Sequence, residues 1–354
     1  MPSSPSPSLL RQVTDLAEEA LEELRPPSGR LPVYALDRLS VENMESLAEQ
    51  LVIAAERHAG LNPGTIQLDR INQRSRLVST HQTRAEVFHA SGAVNLRTAL
   101  PGYKSFVALN DRTVTSEILT ARALELTRGL GLFDILRRTR LSRTETHAFE
   151  RVFQIKGSAT PLDGDQGTPA VHVSRAVGAF RRAVGGVPVL GRASVFVKFG
   201  ADNALDSLGI DWRPIRREKP RRVPLLLPRQ AAADILRQLG SSHPDLASTG
   251  EHYTPVWLRL GYVSFSKYSN QRYLEPTWLA LLRPNSQEAA TIAHLVIVPA
   301  SKNVHERPLR PSLKPLELEP RPVRSPPRTQ PLQSASRYAN VPLGGPQGEL
   351  SEIE

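Results

Sequence analysis

Glu145 and His147 lie two residues apart in a stretch that reads as a strand, so their side chains share one face. A carboxylate beside an imidazole can act as an acid/base pair or begin a metal site. A metal site needs three or four convergent ligands, so a solvated strand face is the competing reading. Asp163-Gly164-Asp165-Gln166-Gly167 carries two carboxylates spaced like the start of a calcium loop. The third oxygen ligand and the distal glutamate of such a loop are missing at the required spacing, and the segment reads as an exposed turn. The histidines are dispersed, His81 and His89 lying eight apart in a strand region.

The motifs of the common enzyme classes are absent. There is no His-Glu-x-x-His, no Gly-x-Ser-x-Gly, no P-loop and no dinucleotide-binding glycine fingerprint. Gly129 and Gly131 end a helical pattern and read as capping residues. The chain has no cysteine, which excludes disulfides, thiolate ligands and cysteine nucleophiles without fixing a compartment. The residues therefore assign no catalytic, cofactor-binding or metal-binding position. An enzyme assembled from dispersed histidines and carboxylates stays as an alternative, because fold alone does not decide function.

Two groups of residues could instead bind. Arg213, Arg216, Arg217, Lys219, Arg221 and Arg222 form the densest basic run, broken by Pro214 and Pro220. Such a run can hold a phosphate backbone or an anionic lipid surface, or it can be a solvated linker. No interleaved aromatic supplies base stacking. The net charge of +10 and pI of about 10.2 invite a nucleic-acid reading. However, 38 of the 45 basic residues are arginine, a skew that GC-rich codon usage also produces. The second group is aromatic: Tyr253, Trp257, Tyr262, Phe265, Tyr268, Tyr273 and Trp278. Aromatic residues on strands are core or cross-strand pairs. Any surface subset marks a partner site, for which Trp257, Tyr262, Tyr268, Tyr273 and Trp278 are the candidates.

The elements that must position these residues follow from periodicity. Leu9, Leu10, Val13, Leu16, Ala17, Ala20, Leu21 and Leu24 stripe a helix that Pro26 and Pro27 end. It can dock on its own protein or on a partner, and residues 1–30 are taken as this helix and a linker. A first α+β unit spans 31–110, with Ser40 capping a helix striped by Met44, Leu47, Leu51 and Ala55. Strands are expected at Gln67–Asn72, Arg84–Ala90 and Val94–Ala99, the last two joined at Ser91-Gly92. A second unit, 111–215, opens with a helix capped by Thr115 or Ser116 and continues through strands at Glu145–Lys156, Arg175–Ala183, Ser194–Phe199 and Ala204–Trp212. Val195, Val197 and Phe199 share a face, and the helix opening the unit should cover them. A third, shorter unit, 216–302, starts its helix at Pro228 and has strands at Val256–Ser264, Tyr273–Leu282 and Thr291–Val298. Ten prolines between Asn303 and Glu354 predict a disordered tail. Helices grouped with adjacent strands give an α+β class of repeated units, each a helix packed on a curved antiparallel sheet.

The stretch from Phe180 to Trp212 carries a family resemblance. Gly186-Val187-Pro188-Val189 and Gly191 precede an alternating strand, the turn Asp202-Asn203 and a last strand. This resembles the propeptide modules of thermolysin-like and fungalysin metallopeptidases and the related PepSY modules, here without the peptidase. Gln271-Arg272-Tyr273-Leu274-Glu275-Pro276, an alternating strand and Val298-Pro299-Ala300 look similar to the closing part of multi-module proteins of this kind. The resemblance implies a cystatin- or PepSY-like sheet wrapped on a helix, used as an inhibitor, chaperone or regulatory binding module. Physically, Gly185 and Gly186 permit a sharp bend, and Pro188 suits a position outside the central ladder.

The sequence thus reads as a non-enzymatic protein-binding, inhibitory or scaffold protein without a cofactor, whose partner is another protein. Nucleic-acid or anionic-surface binding through residues 213–222 is the alternative. No basic residue precedes Arg11, and acidic residues interrupt the apolar stretch that follows, so no signal peptide is expected and the location is cytoplasmic by default. No apolar run approaches the roughly 20 residues of a membrane span.

Overall fold

The computed structural model describes residues 7–37, 39–99, 115–139, 145–159, 170–191, 193–200, 204–211, 213–242, 253–265, 267–285, 293–303, 305 and 350–352. Of the expected disordered tail only Asn303, His305 and Leu350–Glu352 are described, and Leu350–Glu352 correct the expectation there by forming a strand against residues 153–155. The rest of the tail, the Asp163–Asp165 turn, Asp202, Asn203 and Trp212 lie outside these residues. In chain order the elements begin with α1 (Pro7–Leu24), β1 (Arg30–Ala35), α2 (Val41–His58), β2 (Ile66–Ile71), β3 (Arg74–Ser79), β4 (Arg84–Phe88) and β5 (Ala93–Arg97). Next come α3 (Ser116–Gly129), α4 (Leu132–Thr139), β6 (Glu145–Ala159), β7 (Ala170–Val184), β8 (Val187–Leu190), β9 (Val195–Phe199) and β10 (Leu205–Ile210). The chain closes with β11 (Arg221–Pro224), α5 (Pro228–Ser242), β12 (Tyr253–Val263), β13 (Tyr273–Leu274), β14 (Pro276–Pro284), β15 (His294–Pro299) and β16 (Leu350–Glu352). The fold is α+β, dominated by antiparallel pairing. No helix among the described residues is long and apolar enough to cross a membrane.

Local chemistry explains the helix starts. Ser40 caps α2 by accepting from the Asn43 amide at 3.2 Å, and Thr115 caps α3 by accepting from the Ile118 amide at 3.3 Å. Pro228 occupies the first position of α5, where its missing N–H costs nothing. Two buried glutamates fasten α2 to β3. Glu45 accepts from Ser75 Oγ at 2.5 Å, and Glu56 accepts from Ser79 Oγ and from the Gly64 amide.

The elements form two halves that differ from the three consecutive units the spacing suggests. In the first half, β5 pairs with β10, so strands assigned to separate units share one sheet. Helices α2, α3 and α4 fill one core against β3, β4, β5, β7, β9 and β10. The second half is discontinuous in sequence. Helix α1 packs in cis on α5 and β12, and Val13 and Ala17 join Ala231, Ile235, Leu260 and Trp278 in a second core. Helix α1 is thus an integral layer of the last unit, docked on its own protein. An amphipathic stripe specifies that a helix docks, but not where along the chain its partner lies. Strand β1 carries the chain between halves, flanked by β11 and β13 in a three-stranded sheet.

Strand β8 joins the halves. It pairs antiparallel with β7 through Ala183↔Pro188 and Val184↔Val187, and parallel with β12 through Tyr262↔Val189 and Val263↔Leu190. The β7–β8 hairpin has Gly185 at φ 57° and Gly186 at φ 82°, the positive pair that a two-residue type I′ turn requires. Pro188 was expected outside the central ladder, yet it lies in the middle of the large sheet. The turn geometry reconciles the two. The pair flanking a two-residue turn exchanges hydrogen bonds, and the next pair, Ala183↔Pro188, does not. Pro188 therefore forfeits no bond to β7, and pairing with β12 begins only at Val189.

Strand β9 alternates as its sequence implies. Val195, Val197 and Phe199 are fully buried and Phe196 and Lys198 are not. Helix α3 covers that face, approaching so closely that a Cβ on Gly178 of β7 would lie 2.6 Å from Ala123 Cβ. On the other face Lys198 Nζ stands 3.2 Å from Asp206 Oδ2. Val197→Asp should unfold the first half, because an unpaired buried charge costs several kcal/mol. Lys198→Ala should cost no more than about 1 kcal/mol, as half-exposed ion pairs do. Thermal melts of both variants check the register, and equal losses would refute it.

Candidate functional site

The Glu145–His147 face is not solvated. Strand β6 sets His147 opposite Arg182 of β7, and Arg182 donates to Glu145 in a fully buried ion pair. Phe180, two residues before Arg182, lies in the first core, while Val184, two residues after, lies in the second. The pair thus occupies the polar gap between the cores. Burial pulls the Arg182 guanidinium below its ordinary value, against the opposing pull of Glu145. Burial, aided by Arg182, holds His147 down to about 3. A neutral imidazole beside a guanidinium, with Phe133 at 6.1 Å between ring centroids, reads as packing and not as acid/base machinery. Among the described residues no three His, Asp or Glu side chains converge on a metal-sized site.

The basic run divides. Arg213 does not face solvent anions. Its guanidinium donates to the carbonyls of Ala90, Ser91, Ser269 and Gln271 and to Asn270 Oδ1 at 3.2 Å. It clamps the β4–β5 turn of the first half to the β12–β13 loop of the second, which uses up the fork that would grip an anion. Arg216, Arg217, Arg221 and Arg222 are exposed, the last two on β11.

The aromatic candidates also divide. Tyr262 and Trp278 are core residues, and Tyr262 donates to the Pro32 carbonyl at 2.8 Å, with burial raising its phenol. Tyr273 is half-buried and stacks on His305 at 4.6 Å. Trp257 and Tyr268 reach the surface at different places.

Trp257 stands on the face of the β12-β14-β15 sheet opposite α1 and α5. Alternate residues of the three strands enter the helix-covered core: Leu258, Leu260 and Tyr262, then Trp278, Ala280 and Leu282, then Val296 and Val298. The other face carries Trp257, Leu279, Leu281, Leu295 and Ile297, with Leu190, Val263 and Phe265 packed alongside. Among the described residues no helix covers it. Leu295 is 49% exposed. An open sheet face ordinarily alternates to polar residues, whereas here apolar side chains outnumber the polar Arg259 and Thr277 that share the face.

Tyr268, 61% exposed, projects from the β12–β13 loop over the sheet edge of the first half. It meets Phe88 edge-on at 5.5 Å, with Arg74 at 5.3 Å and Lys267 at 5.4 Å from its ring centre. A cleft of about 450 Å³ lies on one side, lined by Asp37, Gln73, His89, Arg213 and Asn270 among others. A second, of about 690 Å³, includes Ile71, Arg74, Arg76, Glu86 and Lys267 in its lining. Beneath the first cleft runs a polar chain. His89 Nε2 is 2.8 Å from Ser75 Oγ, which donates to Glu45. Hydrogen bonds from Arg70 hold the Glu45 carboxyl below the usual range against the opposing effect of burial. Sequence reasoning missed Arg74, Phe88, Lys267, Glu45 and Ser75. Their grouping depends on pairing across strands and across the two halves, which no local spacing signals.

No family model matches this sequence, and no curated protein matches it. Among solved structures it is similar to that of an uncharacterised protein from Eubacterium rectale, with a TM-score of 0.41 and 10% identity over 79% of this chain and 86% of that one.

The buried histidine gives a pH signature. Its folded value lies below the unfolded value of about 6.5, so between them the unfolded chain binds the extra proton. That contribution is fully present above pH 6.5 and is lost as pH falls. From pH 6.5 to 5, wild-type unfolding free energy should drop by about 1 kcal/mol per pH unit more steeply than that of His147→Phe. Parallel urea titrations would show it, and equal slopes would contradict the burial argument.

Proposed function

We propose that this chain is a non-enzymatic protein-binding module whose docking surface is the open apolar sheet face around Trp257. The observation that carries the reading is the apolar run of half-buried Trp257, Leu281 and Ile297 with exposed Leu295, on strands whose opposite face is already filled by helices. Contiguous apolar surface of this kind marks interaction sites, and tryptophan is enriched among the residues that dominate binding energy. The resemblance of Phe180–Trp212 to propeptide modules supports the same class, since such modules act by holding another protein. Arg259, 5.6 Å from the Trp257 ring centre, supplies a polar rim to the patch.

The test compares wild type with Trp257→Asp and Leu295→Asp as affinity baits, after matching their melting temperatures. Proteins retained by wild type and lost from both variants are the expected result. Identical retained sets would sink the proposal.

A second reading rests on the exposed Arg216, Arg217, Arg221 and Arg222, which suit an anionic surface. Heparin retention that falls with salt and disappears when all four become Ser would favour it. Unchanged retention in that variant would exclude these residues.

A further inference from the structure

A separate site, on the other half of the molecule, carries a different chemistry. The sheet face away from α2 and α3 is polar at its β2-β3-β4 end, where Arg74 and Arg76 of β3 and Glu86 of β4 stand exposed. Cross-strand pairing places Arg74 between Ile71 and Phe88, and Arg76 between Asp69 and Glu86. Lys267 arrives from the other half, its Nζ 4.4 Å from the Phe88 ring centre, and Arg74 lies 4.9 Å from the same ring. Phe88 is thereby roofed by two cations and by Tyr268, while Ile71 remains 53% exposed at the sheet edge. The result is a groove of about 690 Å³ with three cations, one lining carboxylate and two exposed apolar or aromatic surfaces, Ile71 and Tyr268.

We propose that this groove binds an acidic, extended peptide segment. Arg74, Arg76 and Lys267 pair with its carboxylates, and Ile71 and Tyr268 receive an intervening apolar side chain, with buried Phe88 holding Arg74, Lys267 and Tyr268 in place. An extended peptide alternates its side chains with a period of two, which suits a groove whose charged and apolar contacts lie side by side. Arginine suits such a ligand because its planar fork takes a carboxylate through two hydrogen bonds. A polyphosphate backbone fits less well. Glu86 lines the groove and Asp69 stands across from Arg76, so a dense line of phosphates would meet fixed negative charge. Tyr268 alone offers a stacking surface at the groove mouth, short of the series of platforms that single strands occupy. The site is independent of the Trp257 face, which lies on the second half.

Fluorescence anisotropy of the full chain tests the proposal with a labelled short peptide of alternating glutamate and leucine. The same peptide with lysine for glutamate, and a single-stranded oligonucleotide, serve as competitors. The acidic peptide should bind, weaken with salt, and lose about tenfold or more in affinity in Arg74→Glu. Tyr268→Ala, a change at an exposed side chain that leaves the fold intact, should also weaken it, and Trp257→Asp should not. Displacement by the lysine peptide, tighter binding of the oligonucleotide, or equal binding by Arg74→Glu and Arg76→Glu chains of unchanged melting temperature would overturn it.

Discussion

The Arg213 guanidinium is the contact on which the arrangement of the surface depends. It reaches carbonyls of Ala90 and Ser91 in one half and of Ser269 and Gln271 in the other. Each charge-assisted hydrogen bond of this kind contributes about 1.5–3 kcal/mol, and each also satisfies a carbonyl that would otherwise be stranded in a turn. The groove beside Tyr268 exists because this clamp and strand β8 hold the two halves in one relation. Gly185 and Gly186 turn the chain out of the first core, and Val189 and Leu190 deliver it to β12 in the second. The buried Arg182–Glu145 pair fills the polar gap between the cores. Removing one partner of such a pair costs several kcal/mol, more than the pair itself contributes over an apolar replacement.

The two halves solve the same burial problem with opposite surfaces. Each covers one sheet face with helices. In the first half the other face is charged at its edge, where Arg74, Arg76, Asp69 and Glu86 oppose one another across strands. In the second the other face is mainly apolar, and Leu279 is buried there beside Leu190, Val263, Trp257, Phe265 and Ile297. The proposed binding function rests on these two open sheet faces, one mainly apolar and one charged.

Much of this was legible in the residues. Ser40, Thr115 and Pro228 marked helix starts because capping is local chemistry. The alternation of Val195, Val197 and Phe199 gave both the strand and its covered face. Strand β3 was missed because Arg74-Ser75-Arg76 hides its inward serines, whose partners are the buried Glu45 and Glu56 of α2. The placement of α1 on α5 was also beyond reach, since docking between residues more than 200 apart leaves no trace in periodicity. Among the nominated site residues, Tyr262 and Trp278 proved to be core, and Arg213 proved to be a clamp. An aromatic or an arginine has the same sequence pattern in either role, and only the long-range carbonyls and strand neighbours separate them.

Native-state hydrogen exchange read by mass spectrometry tests most directly the claim that the clamp and β8 make one body of the two halves. Peptides spanning β4–β5 report the first core and peptides spanning β12–β14 the second. If the halves are locked, the slowest amides of both should open with the same free energy, within about 1 kcal/mol, and shift together as urea is added. Exchange of one half through an opening several kcal/mol below the other would contradict the account, because the surface between the halves would then have no fixed geometry.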